Sequence, residues 1–305
     1  MPVSDRYRRQ VALLIRTLPF VATERCFALK GGTAINLFVR NLPRLSVDID
    51  LAYLPIHDRE SSLAEIDAGL KRIAEKAAED IPNARIQESR LRDETAVNKL
   101  LVRTPDAQIK IEVTPVLRGC VYDPEDRSVA EAVESEYGFV RTPVVSFPDL
   151  YAGKIVAALD RQHPRDLFDV RELMLNEGID DQLRTAFIVY LLSHSRPIHE
   201  LLCPTRLDLA QEFERGFAGM TTVPVELDDL LTAREQLIET LTADMPDAHE
   251  EFLVSFLAGT PGWGLLDLDN IQELPAVRWR MRNLEKLEGT RRHELVGALE
   301  EVLGL

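Results

Sequence analysis

The alternation of apolar and polar residues predicts a sheet in the first half of the chain. Residues 45–54 place Val47, Ile49 and Leu51 on one face and polar side chains on the other, which is typical of a half-buried strand. Similar patterns predict further strands over residues 84–90, 97–103, 108–116 and 144–147. Together these strands indicate a first half that is built on a sheet.

Helical spacing of apolar residues predicts the remaining elements. Residues 31–40 follow a glycine turn and predict a short helix, and residues 60–80 predict a long charged amphipathic helix. Pro148 suits the first turn of a helix, and helical patterns then continue almost to the end of the chain. We therefore predict an α+β fold, with a mixed sheet and helices in a domain of residues 1–147 and a mostly helical domain of residues 148–305.

Composition indicates an ordinary globular protein. The chain has 305 residues, of which 45% are hydrophobic and 29% are charged, so it can bury a core without disulfide bonds. Its three cysteines (Cys26, Cys120 and Cys203) are far apart and odd in number, which argues against a disulfide framework or a zinc site and favours the cytoplasm. No apolar run approaches the roughly 20 residues that span a bilayer, and the start lacks the apolar segment of a signal peptide. We therefore expect no membrane association.

The net charge of −15 is distributed unevenly along the chain. Residues 171–270 hold 19 acidic and 6 basic residues, a net of −13, whereas the first 50 residues hold 8 basic and 4 acidic residues, a net of +4. A pI of about 4.9 argues against a uniformly basic surface for nucleic acid. A polyanionic partner is therefore expected to dock on the N-terminal half.

The most informative motif combines two glycines with two aspartates. Gly31 and Gly32 precede a predicted helix, so the backbone can approach a phosphate closely and the helix N-terminus favours the anion, to which Thr33 can add a hydroxyl. Asp48 and Asp50 are two residues apart on a predicted strand, so their carboxylates project from one face and can hold Mg²⁺ against that phosphate. Either half of the motif alone is common in turns and solvated strands.

A third carboxylate is available from a later strand. In residues 109–113 the apolar side chains occupy one face, so Glu112 shares the opposite face with Lys110. If this strand pairs beside the first, Glu112 can act as a third metal ligand or general base in a two-metal phosphoryl-transfer site. Without the upstream motif, an exposed edge strand would explain the same pattern.

These motifs together resemble those of the DNA polymerase β nucleotidyltransferase superfamily. More narrowly, two blocks resemble the AbiEii/AbiGii toxin family. The first block contains GGTAI at residues 31–35 and RLSVDID at 44–50, and the second is LYAGKIVAALDRQHPRDLFD at 150–169. The resemblance covers about residues 27–173.

The resemblance implies a metal-dependent nucleotidyltransferase that acts as the toxin of a bacterial toxin–antitoxin or phage-exclusion pair. It implies an NTP substrate with Mg²⁺ or Mn²⁺, an RNA acceptor for which the tRNA 3′ end is suspected, and a cognate antitoxin for which a winged-helix protein is one candidate. Two alternatives stay open. The chain could transfer a nucleotide to a small-molecule or protein hydroxyl. It could also be a catalytically silent binding module, because its third carboxylate, Glu112, is a glutamate where the family pattern has an aspartate.

The second block also has a physical interpretation of its own. Lys154 and Arg161 are seven residues apart and share a helix face, which we expect to be exposed and able to hold the triphosphate. Asp166 and Asp169 also face together, and could pair with Lys154, Arg165 or a nucleotide hydroxyl. A structural salt-bridge cluster is the alternative. The predicted catalytic residues are Asp48, Asp50, Glu112, Lys154, Asp166 and Asp169, and the predicted nucleotide-binding residues are Gly31, Gly32, Thr33, Ser46 and Lys154.

Overall fold

The structure is a computed structural model that describes residues 5–90 and 94–305. The chain divides into two compact units. The first comprises Met1–Ser146 with Ala218–Pro224, and the second comprises Phe147–Phe217 with Val225–Leu305. The second unit thus begins at Phe147, one residue before the predicted start of the helical domain. The segment 218–224, which was predicted to belong to the helical domain, belongs to the first unit.

A mixed sheet forms the centre of the first unit. Its strands are β1 (Phe27–Lys30), β2 (Asp48–Tyr53), β3 (Arg85–Arg90), β4 (Val97–Arg103), β5 (Gln108–Arg118), β6 (Glu125–Ser128) and β7 (Arg141–Val144). They lie in the order β3-β4-β5-β2-β1-β7-β6. The pairs β2–β5 and β1–β7 are parallel, whereas β1–β2, β3–β4, β4–β5 and β6–β7 are antiparallel. The parallel pairing of β2 with β5 places the two predicted carboxylate strands next to each other.

Helices cover the apolar face of this sheet. They are α1 (Asp5–Ala22), α2 (Gly31–Ala34) with its π-helical continuation (Ile35–Val39), α3 (Arg59–Asp80) and α4 (Glu131–Tyr137). The carboxylate of Asp58 caps α3 by accepting a hydrogen bond of 2.9 Å from the backbone N–H of Ser61. Ile66, Leu70 and Ile73 of α3 are fully buried. Because one face of the sheet is covered in this way, alternate positions of its strands remain available for polar residues.

The second unit is helical. It contains α5 (Phe147–Arg161), α6 (Pro164–Asn176), α7 (Asp181–Leu192), α8 (Ile198–Leu202), α9 (Ala210–Gly216), α10 (Leu227–Thr242), α11 (Asp247–Ala258), α12 (Pro275–Glu285) and α13 (Gly289–Leu303), with short 3₁₀ turns at Trp263–Leu266 and Ile271–Glu273. Helix α7 carries the longest apolar run of the chain and is buried along most of its length. Among the described residues, no helix is long and apolar enough to cross a bilayer.

The α+β prediction is confirmed, with differences at individual elements. The last predicted strand, 144–147, lies at Arg141–Val144, because Phe147 and Pro148 already form the first turn of α5. The sequence pattern did not predict strands β1 and β6. Each has four residues, which is too short for alternation to be recognisable.

Candidate active site

Four strands place charged residues in one row on the open face of the sheet. The backbone register pairs Lys30 with Asp50, Asp50 with Glu112, and Glu112 with Lys99. The neighbouring pair on the same face is Asp48 with Lys110. The three predicted carboxylates therefore share one face at adjacent positions, as the two-residue period of a strand requires.

The apolar positions between these charges fix their direction. Ile49 and Leu51 of β2 and Ile109, Ile111 and Val113 of β5 are at most 1% exposed. Shifting either strand by one residue would bury its acidic side chains and expose its apolar ones. The hydrophobic core thus holds the carboxylates on the accessible face.

The two glycines allow other side chains to approach the turn before α2. Gly31 has a φ of 73°, and a Cβ at this position would lie 2.7 Å from Asp50 Oδ2. A Cβ on Gly32 would lie 2.9 Å from Arg44 Nη2 and 3.1 Å from Ser46 Oγ. Larger residues would therefore displace Asp50 and Arg44. The turn remains bare backbone, as a phosphate-binding turn requires.

Thr33 has a supporting position in this site. It is 1% exposed, lies 3.0 Å from Ser46 Oγ, and donates a short hydrogen bond to the carbonyl of Asp48. The hydroxyl predicted to reach a phosphate is thus engaged inside the protein. Thr33 fixes α2 to the start of β2, and so positions the aspartates relative to the glycine turn.

Two lysines contact the third carboxylate. Lys110 Nζ lies 2.9 Å from Glu112 Oε2, and Lys99 Nζ lies 3.3 Å from Glu112 Oε1. Burial alone would raise the pKa of Glu112, but the hydrogen bond from Lys110 and the charges of both lysines outweigh it and hold that pKa below its usual range. Glu112 is therefore ionised at neutral pH and accepts hydrogen bonds.

The lysines differ in their own surroundings. Burial would lower the pKa of Lys110, but its hydrogen bond to Glu112 and the charges of Asp48 and Asp50 outweigh that effect and raise it. For Lys30, burial is the larger effect and lowers the pKa, although the charge of Asp50 opposes the shift. Lys110 is thus protonated at neutral pH and lies among three carboxylates.

The carboxylates of Asp48, Asp50 and Glu112 fit a divalent metal ion that is also coordinated by phosphate oxygens. Within residues 5–90 and 94–305, no three His, Cys, Asp or Glu side chains are already arranged as a metal site. At the predicted ligands, both oxygens of Glu112 contact lysines. Asp48 and Asp50 nevertheless project from one face, and Mg²⁺ is commonly held by one or two carboxylates together with substrate phosphates and water.

The second unit contains an ionic cluster in which Lys154, Asp166 and Asp169 are buried and the side chain of Arg161 is exposed. Lys154 Nζ lies 2.7 Å from Asp166 Oδ1 and 3.0 Å from Asp169 Oδ2, and Arg161 Nε lies 2.6 Å from Asp166 Oδ2. Lys154 is 6% exposed and both aspartates are 1% exposed. The predicted exposed position of Lys154 is therefore wrong, because both aspartates of α6 enclose its amine. Burial would raise the pKa of Asp166, but Lys154 and Arg161 outweigh it and lower that pKa strongly.

Sequence reasoning assigned no role to four cations of the first unit: Lys30, Arg44, Lys99 and Lys110. Lys30 and Lys110 were recognisable in principle, since one precedes the glycine pair and the other shares the strand face of Glu112. Lys99 reaches Glu112 only through the register of β4 with β5, which the sequence alone does not specify. Arg44 is 2% exposed, and its guanidinium donates to the carbonyl of Leu45.

Comparison with known proteins places these features in a family. The sequence family described as "Nucleotidyl transferase AbiEii toxin, Type IV TA system" matches residues 12–282. Among solved structures, the chain is similar to MenT4, a nucleotidyltransferase toxin from Mycobacterium tuberculosis H37Rv, with a TM-score of 0.60 and 15% identity over 97% of this chain and 93% of that one. At this identity the likeness concerns the fold. No curated protein sequence is similar enough to count as a match.

Proposed function

Because the chain belongs to the AbiEii family of nucleotidyltransferase toxins of type IV toxin–antitoxin systems, we propose that it transfers NMP from an NTP to an RNA acceptor, with the tRNA 3′ end as the expected target. One observation carries the proposal. Asp48, Asp50 and Glu112 lie at adjacent positions on one sheet face, beside the glycine turn of Gly31 and Gly32. Carboxylates and bare backbone N–H groups are the groups that hold a metal-bound triphosphate.

In this proposal Asp48 and Asp50 are the metal ligands, and Gly31 and Gly32 seat the phosphates. A divalent ion, Mg²⁺ or Mn²⁺, would supply Lewis-acid stabilisation of the charge that develops on the phosphate oxygens. Lys110 has its amine next to the same carboxylates and can turn to a phosphate oxygen. The chain's own groups thus provide anionic and cationic contacts from one face.

Glu112 is the proposed third carboxylate or general base. Its lowered pKa keeps it ionised, so it can accept the proton of an acceptor hydroxyl. That oxygen forms a bond to the α-phosphorus of the NTP as the bond to pyrophosphate breaks. The products are the nucleotidylated acceptor and pyrophosphate, and Glu112 then releases the proton to water.

The cluster of Lys154, Asp166 and Asp169 belongs to the proposal through the family resemblance. Its enclosed geometry supports a positioning role, in which the two aspartates orient the Lys154 amine. Each aspartate contacts that amine, and Asp166 also accepts hydrogen bonds from Arg161. A positioning residue of this kind should affect both stability and transfer when it is replaced.

The N-terminal cations support an RNA acceptor in part. Arg9 and Arg16 of α1 are exposed. Arg8 Nη1 pairs with Glu136 at 2.6 Å, and Arg25 Nη1 pairs with Asp126 at 3.2 Å, so part of the positive charge is locally neutralised. The expected docking of RNA on this half thus relies mainly on the exposed arginines of α1. A cytoplasmic site of action, a role in phage exclusion and a winged-helix antitoxin complete the proposal, on the family resemblance alone.

The test is incubation of the chain with each α-radiolabelled NTP, Mg²⁺, and total RNA or total protein. We expect label in the RNA pool, and no label with Asp48→Ala or Asp50→Ala. Asp80→Ala is the matched control, because this aspartate is exposed at the end of α3 and is not on the carboxylate face of the sheet. Label in the protein pool or in small molecules would favour the alternative acceptors, and no label with any NTP would favour a silent binding module.

A further inference from the structure

Helix α12 has one face fixed against the rest of the second unit. Ala276, Val277 and Leu284 are buried. Arg280 donates hydrogen bonds of 3.3 to 3.4 Å to three consecutive backbone carbonyls, at residues 194–196. These contacts determine which residues of α12 remain on its outer side.

The outer side of α12 carries a stripe of positive charge. Arg278, Arg282 and Lys286 are four residues apart and exposed, so they follow one line of about 12 Å along the helix. Like charges at this spacing on a helix repel each other. The exposed contact of Arg278 with Glu273, at 3.6 Å, offsets little of this repulsion. Glu285, which is also exposed and lies three residues after Arg282, offsets part of this charge, and the stripe keeps a net positive charge that suits an anionic partner.

An exposed indole lies beside this stripe. Trp279 is 51% exposed and is one helical turn from Arg282. The second tryptophan, Trp263, packs instead against Phe252 and Phe256, with ring centroids 5.7 and 6.1 Å apart. A large aromatic ring on the surface, next to cations, is the combination that binds single-stranded nucleic acid, because bases stack on the ring while cations contact phosphates.

We propose that the α12 face, defined by Arg278, Trp279, Arg282 and Lys286, binds a single-stranded segment of RNA. The proposal rests on the proposed RNA acceptor. Single-stranded RNA fits better than a duplex, since the bases of a duplex are stacked on each other and cannot reach Trp279.

The test titrates the full chain with an unstructured 12-nucleotide RNA and follows tryptophan emission and the anisotropy of a labelled end. We expect quenching in the wild type that disappears in Trp279→Phe, because the remaining emission comes from Trp263. Trp279→Leu should weaken binding about 5- to 150-fold, which corresponds to one stacked base. Circular dichroism checks that each variant folds.

A salt titration tests the stripe separately. Replacing Arg278, Arg282 or Lys286 by Gln should reduce the slope of log affinity against log salt by about 0.7 each. Arg291→Gln is the matched control on α13, where the arginine is exposed and already pairs with Glu294 at 2.7 Å. Its slope should stay at the wild-type value.

Two results would overturn the proposal. One is unchanged RNA affinity in folded Trp279→Leu, and the other is equal binding of polyglutamate, which would make the face a site for acidic protein. The binding assay does not depend on transfer. If RNA binds with the expected signatures but receives no label from any NTP, the α12 face stands and the proposed acceptor fails.

Discussion

Replacing Lys110 by Gln is expected to strengthen metal binding in the absence of nucleotide. The Lys110 amine lies 2.9 Å from Glu112 Oε2, among the carboxylates that are proposed to hold the metal. A unit charge about 4 Å from a dication is unfavourable by about 2 kcal/mol at the dielectric constant of water, and salt reduces this figure. Because the Lys110 side chain is only 31% exposed, the value for water is the lower limit of this repulsion. The expected gain in affinity is therefore at least about 10-fold.

The assay is a titration with Mn²⁺, with free Mn²⁺ followed by electron paramagnetic resonance. Lys71→Gln is the matched control, since Lys71 is a half-exposed lysine of the first unit that pairs with Asp67 at 2.7 Å. The melting temperature provides a second readout. In EDTA, Lys110→Gln should melt below the wild type, because three carboxylates lose a shared cation, and Mn²⁺ should restore much of the difference.

Unchanged or weaker Mn²⁺ binding by folded Lys110→Gln would refute this reasoning. The lysine would then support the metal site, for example by orienting Glu112, instead of competing with the ion. Loss of Mn²⁺ binding in Asp50→Asn is the necessary companion result. Without that loss, the ion measured in the titration would be bound elsewhere.

Four further perturbations test separate parts of the two units. Asp50→Ala should abolish transfer with a melting temperature at or slightly above that of the wild type, because it relieves repulsion between carboxylates; retained labelling would contradict the assignment. Lys154→Met should destabilise the chain by about 3–5 kcal/mol in urea unfolding, because it leaves buried carboxylates without their amine, and a loss below about 1 kcal/mol would contradict the burial argument. The pKa of Asp166 is lowered, so its stabilising contribution is complete above the ordinary carboxyl range and is lost as the pH falls through and below that range; Asp166→Asn should therefore make stability depend less on pH below about pH 5. Gly31→Ala should lower stability by about 1–2 kcal/mol and displace Asp50, with a larger loss of transfer than Gly138→Ala, where the φ is also positive but a Cβ meets no atom within 4 Å.

The sequence was sufficient to predict the carboxylate face of the site. The two-residue period places Asp48 with Asp50, and the same rule places Lys110 with Glu112. It was not sufficient for strand order, because pairing between β2 and β5 depends on contacts far apart in the chain. The contact of Lys99 with Glu112 depends on the register between β4 and β5, which a local sequence pattern does not specify either.

The position of Lys154 shows a different limit of sequence reasoning. Its spacing from Arg161 indicated a shared face, and that relation holds, because both cations contact Asp166. The exposure of Lys154 was the mistaken part, whereas the Arg161 side chain is 63% exposed, as predicted. Residues 150–159 are apolar nearly all round the helix, which is typical of a buried helix, and this signal outweighs the preference of a single lysine for water.

The central claim is that the Asp48–Asp50–Glu112 face transfers a nucleotide to RNA. The most direct measurement is the incorporation of label from each α-radiolabelled NTP into purified tRNA in the presence of Mg²⁺, with wild type and Asp50→Asn compared at equal concentration. We predict incorporation with at least one NTP, release of one pyrophosphate for each nucleotide added, and no incorporation with Asp50→Asn. Equal incorporation by both proteins, or label that appears only in protein or small molecules, would contradict the claim.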